Sequence, residues 1–137
     1  MTRRDDAVVA AARGAIGARF RMQGRDPAFG LDCVGVVAVG LRGAGYGGAV
    51  PADYALRGGC VTEIVAQFAA AGLVRRVTAS PGGVALFDTG CGQLHLAVIV
   101  PGGIVHADAM LRRVVERPGL PPWALIGCWH FQDDRGE

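Results

Sequence analysis

Cys33 stands in G-L-D-C-V-G-V-V, residues 30 to 37, directly after an aspartate and at the head of an apolar run punctuated by Gly40, Gly43 and Gly45. Asp26-Pro27 and Gly30 mark a loop before it, and the run is long enough for about two to three helical turns. The pattern predicts a buried helix that starts near Cys33, with Asp32 as its N-cap. Free cysteines most often pack as small hydrophobes. At a helix start, however, unpaired amides and the positive end of the helix dipole favour thiolate over thiol, which is the setting of a nucleophile.

A thiol nucleophile needs a base, and the base needs a group that holds its ring. The chain has three histidines, His95, His106 and His130. In L-H-L-A-V-I-V, residues 94 to 100, strand alternation sets His95 with Ala97 and Ile99 on one face, and Leu94, Leu96, Val98 and Val100 on the other. A Pro101-Gly102-Gly103 turn joins this run to G-I-V-H-A. The resulting antiparallel register puts His106 opposite Ala97 and diagonal to His95, about 7–8 Å away at the backbone. Cys33, His95 and His106 are therefore the candidate catalytic set, with a thiolate–imidazolium pair expected between the first two. His130, Trp123 and Trp129 read as structural. Asp32 has a second reading, as a contact for a substrate ammonium group.

The elements that must position these residues divide the chain in two. Residues 5 to 18 carry Val8, Val9, Ala12 and Ile16 at helical spacing, giving way at Gly17 to a loop from Arg19 to Gly30. The Cys33 helix follows, and then residues 43 to 59, Gly-rich with Pro51, read as an irregular connection that could line a groove. Val61, Ile64, Val65, Phe68 and Ala69 predict a third helix stopping at Gly72. After it the period changes. Residues 84 to 88, 94 to 100, 103 to 107, 112 to 116 and 125 to 131 are short β-rich runs separated by Pro-Gly turns. Helices first and strands later imply one α+β domain over residues 1 to 137, with N-terminal helices packed on one face of an antiparallel sheet.

Composition narrows the function classes. A hydrophobic share of 51% against 19% charged residues suits a globular core. No apolar run reaches the length of a membrane-spanning helix. The net charge of +2, carried by arginines scattered along the chain, argues against a nucleic-acid partner. Cys33, Cys60, Cys91 and Cys128 form no C-x-x-C pair, so neither a zinc ribbon nor a thioredoxin-type site is signalled. The first residues, with acidic groups and Arg13 interrupting the apolar stretch, make a poor export signal, and free thiols are expected.

The ordered blocks A-R-G-A-I-G-A-R-F-R-M-Q-G, G-L-D-C-V-G-V-V, P-G-G-V-A-L-F, L-H-L-A-V-I-V, G-I-V-H-A and W-A-L-I-G-C-W-H-F resemble the NlpC family of cell-wall cysteine peptidases, especially the branch encoded with phage tails and gene transfer agents. The resemblance implies a papain-like α+β fold, with Cys33 as nucleophile, His95 as base and His106 as the orienting residue, and no metal or other cofactor. It implies hydrolysis of peptide-stem amides in peptidoglycan, with delivery on a phage-like tail and tail proteins as partners. Phe20 stands where relatives commonly carry a tyrosine that contacts substrate, and Gly83 replaces an acidic residue in P-G-D-V. Three other readings use the same residues: an amidase or acyltransferase on the same Cys-His-His site, a non-catalytic tail module, and a metal site from Cys91, His95, His106 and Cys128.

Overall fold

The computed structural model describes residues 2–48 and 61–132. Cys60 and most of the expected Gly-rich connection lie outside the described residues. Helix α1 (Arg3–Gly14) opens with a capping box: the Thr2 side chain accepts from the Asp5 amide, and the Asp5 carboxylate accepts from the Thr2 amide. It buries Val8, Val9 and Ala12 and ends earlier than its apolar spacing predicts, leaving Ile16 exposed. The segment expected to be a plain loop contains a short hairpin, β1 (Arg25–Asp26) and β2 (Gly30–Leu31), directly before α2 (Cys33–Gly43).

Gly40 and Gly43 do not break α2. Gly40 has Val8 of α1 against it, and a Cβ at Gly43 would run into the Ala11 side chain, so these glycines let the two helices approach closely. Helix α3 (Val61–Ala70) matches its predicted span, and its Ile64 and Phe68 face the core.

Six strands follow: β3 (Leu73–Arg76), β4 (Val84–Asp88), β5 (Leu94–Val100), β6 (Gly103–Asp108), β7 (Arg113–Pro118) and β8 (Ala124–Phe131). Each pairing is antiparallel, and the order across the sheet is β3-β8-β4-β5-β6-β7. Strand β3 has no forerunner in the sequence reading; its L-V-R-R pattern buries only Leu73 fully, which is too little alternation to mark a strand. The other five lie within two residues of their expected bounds.

The sheet faces are unequal. One carries Val84, Leu86, Leu94, Leu96, Val98, Val105, Trp129 and Phe131 into a single large core with the helices and Cys33. The other carries Ala85, Phe87, Ala97 and Ile104 in a smaller cluster, with Ile99 and Trp123 packed against it. The expected architecture, helices on one face of an antiparallel sheet, is the one observed.

Candidate active site

Cys33 is the first residue of α2, and Asp32 caps the helix, its Oδ1 accepting from the Gly35 amide at 2.9 Å. The same carboxylate accepts from Arg25 Nη1 at 2.8 Å and, through Oδ2, from the Gln23 amide at 2.8 Å. Asp32 is thus a buried anchor between the helix start and the hairpin loop. With its oxygens engaged in this way, the structure favours the cap over a substrate-ammonium contact. Gly35 completes the junction: a Cβ there would strike the Gly24 carbonyl, so the loop lies directly on the first turn of α2.

The predicted register of β5 and β6 is observed, Val98 pairing Val105, Ile99 pairing Ile104 and Val100 pairing Gly103. His95 Nε2 and His106 Nδ1 lie 2.9 Å apart in a hydrogen bond, their rings nearly perpendicular. Neither ring is hydrogen-bonded to Cys33. The sulfur lies on the helix face of the sheet, whereas both imidazoles project to the other face beside Trp123.

Strands β5 and β6 do not pair along their whole length. The β5–β6 ladder begins only at Val98, while His106, Ala107 and Asp108 pair solely with β7. The Ile99 amide donates to Gly83 on the β4 side, so by alternation the Leu96 amide faces β6, where it has no strand partner. Leu96 is also the backbone group that most favours the Cys33 thiolate. Cys33 therefore shares its core with the residue next to His95, where β5 and β6 part.

The electrostatics correct the expected ion pair. Burial pushes the Cys33 thiol up to about 12, and the Leu96 and Val34 amides only partly oppose it, with Asp32 pushing the same way as burial. Burial and the neighbouring His106 lower His95 to about 4, with Asp108 acting in the opposite direction. His106 is likewise lowered, chiefly by burial. The resting pair is a neutral thiol and a neutral imidazole, because desolvation of a sulfur only 5% exposed outweighs the helix dipole.

Neutrality makes the tautomer decisive. With Nε2 engaged by His106, the nitrogen left to His95 for a reacting group is Nδ1. To be a base there, His95 must carry its proton on Nε2 and donate it to His106 Nδ1. His106 Nε2 is buried without a hydrogen-bond partner, so this second ring is held by its contact with His95 and not by other polar anchors.

Phe20 packs half-buried against the core that contains Leu31 and Cys33, forms a parallel bridge to Leu31, and donates its amide to the Arg112 carbonyl. The alternative metal set does not converge: Cys91 is exposed, Cys128 lies beside His130 on β8, and among the described residues no group of three or more His, Cys, Asp or Glu is arranged to hold a metal ion.

Two features escaped the sequence reading. Trp123 packs edge-on against both imidazoles, and its position depends on the path of the β7–β8 connection. His130 is structural, as expected, but is richly partnered: Nδ1 lies 3.2 Å from Asp5 Oδ1, and Nε2 lies 3.3 Å from Ser80 Oγ and 3.6 Å from Cys128 Sγ. Gly83 belongs to that cluster, since a Cβ on it would press on His130 and Cys128.

No protein-family profile and no curated protein matches this chain. Solved structures do. The NlpC/p60 domain of the peptidoglycan hydrolase SagA is 25% identical, with a TM-score of 0.57 over 83% of this chain and 88% of that one. The P60 domain of the antigen MAP1204 from M. avium subspecies paratuberculosis is 16% identical, with a TM-score of 0.59 over 93% of each chain. The peptidoglycan hydrolase RipB from Mycobacterium tuberculosis is 19% identical, with a TM-score of 0.60 over 93% of this chain and 63% of that one. The fold is therefore the papain-like α+β fold of NlpC/p60 domains.

Proposed function

We propose that this domain is a cell-wall hydrolase that cleaves amide bonds in peptidoglycan stem peptides, with Cys33 as nucleophile. One observation carries the reading: a thiol at the capped start of α2 that shares a core with Leu96, the residue next to a hydrogen-bonded His95–His106 pair. The likeness to the NlpC/p60 domain of SagA, a peptidoglycan hydrolase, supports the substrate class.

In this mechanism His95 takes the thiol proton as sulfur attacks the amide carbonyl, forming the S–C bond. The Cys33 amide at the helix start stabilises the oxyanion. His95 then passes its proton to the departing amine as the C–N bond breaks, and water, deprotonated by His95, hydrolyses the thioester. His106 holds the tautomer that leaves Nδ1 free. The sulfur and His95 start without a hydrogen bond, so substrate binding must bring them into line.

Cys33→Ala is expected to abolish release of stem-peptide fragments from purified peptidoglycan, as read by mass spectrometry. Equal products from variant and wild type would sink the enzymatic reading and leave a binding or assembly module, which the buried, protonated thiol also suits. Fragments other than peptides would move the reaction to a different amide. Delivery on a phage-like tail rests on the motif resemblance alone; it predicts co-purification with particles, and protein found free in the periplasm and absent from particles would count against it.

A further inference from the structure

Trp123 packs against both imidazoles. Its ring centroid lies 5.1 Å from His95 and 5.7 Å from His106, edge-on at 79° and 71°. Phe87 braces it from β4 at 5.6 Å, and the Arg117 guanidinium of β7 lies over the indole at 5.3 Å. On its other side, Trp123 walls an apolar pocket of about 430 Å³, lined also by Ala85, Phe87, Ile99, Ile104 and Leu120. Leu120 is 88% exposed, so the pocket stands open to water at its rim. The indole is therefore the partition between a solvent-accessible pocket and the His95–His106 hydrogen bond.

We propose that Trp123 is a positioning residue for the histidine pair: it keeps water off the His95–His106 bond and fixes both rings in the tautomer that leaves His95 Nδ1 as the base. The physical need is specific to this pair. His106 Nε2 has no partner, so no polar contact besides the one with His95 orients the ring, and an aromatic edge must do it sterically. The catalytic part of this inference rests on the proposed hydrolase reading; the effect on the histidines does not.

The groups facing His95 and His106 are Asp108 at the end of β6 and Arg117 on β7, while β4 presents the apolar Phe87 opposite His95. Removing the indole admits water from the pocket. That relieves the desolvation that keeps His95 low, so its apparent protonation midpoint moves up from about 4 toward the ordinary 6.5.

The test uses the intact chain with Trp123→Ala and Trp123→Phe, read by nitrogen-detected NMR of the histidine rings and by kinetics on peptidoglycan fragments. The expected result for Trp123→Ala is an upward move of the His95 titration by about one unit or more, and loss of the single tautomer. A fall in kcat of about tenfold should accompany it, with KM little changed; this is part of the roughly 10²–10⁴ that positioned proton transfer supplies. Trp123→Phe should restore most of both. If Trp123→Ala does not fold, Trp123→Leu takes its place with the same expectations. Unchanged histidine titration and tautomer in a folded variant would overturn the proposal, whatever the kinetics. A shifted titration in a chain whose wild type has no activity would keep the positioning role and overturn only the hydrolase reading.

Discussion

Because burial holds Cys33 near 12 and His95 near 4, neither group carries charge at neutral pH. Proton transfer then accompanies sulfur attack, and the rate in acid follows the fraction of His95 that is unprotonated. The acid limb of kcat/KM is expected well below 6.5, in the region of 4 to 5; a limb at or above 6.5 would show that the imidazole is solvated in the working enzyme. The same shift predicts a stability change. Between about 6.5 and 4 the unfolded chain binds a proton at this position that the folded chain refuses. The contribution of His95 is therefore complete above 6.5 and is lost as pH falls toward 4, visible as a declining urea midpoint. His95→Gln should flatten that decline.

At the scale of elements, the junction between the β1–β2 hairpin and α2 decides where the sulfur sits. Asp32 ties three backbone or side-chain donors to one carboxylate, and Gly35 lets the loop lie against the helix. Asp32→Ala removes the cap and breaks a mostly buried ion pair with Arg25, an expected loss of about 3 kcal/mol by chemical denaturation. Asp32→Asn keeps an oxygen for the Gly35 amide and weakens chiefly the Arg25 contact, so it should lose clearly less. If the two variants were equally stable, the cap would not be what Asp32 contributes. The splaying of β5 from β6 matters equally at this scale, since a ladder continued past Val98 would engage the Leu96 amide.

Across the whole molecule, a second buried polar cluster fastens the N-terminal helix to the far side of the sheet. Asp5 both closes the α1 capping box and meets His130, which reaches Ser80 and Cys128. Burial raises the Cys128 thiol to about 11, which keeps it inert as a nucleophile. Asp5→Ala is expected to cost about 2 kcal/mol from the lost cap and the stranded histidine. The acid limb of kcat/KM should not move, because this cluster lies outside the His95–Trp123 contacts. A shift of that limb on Asp5→Ala would mean that the two clusters communicate through β4 and β8.

The residues themselves determined much of this protein. Alternation in L-H-L-A-V-I-V and the Pro-Gly-Gly turn fixed which faces His95 and His106 share, and the Asp-Cys pair before an apolar run fixed a capped helix start, because strand period and capping are local physics. What tertiary structure alone decided are quantities that depend on surroundings brought from afar. Packing under the sheet pushes the expected thiolate toward the neutral thiol, and β5 parts from β6 beside His95. The β7–β8 connection laid Trp123 across both imidazoles, and Asp5 met His130 from the other end of the chain. Desolvation and ring contacts are summed over neighbours distant in sequence, so no window along the chain contains them.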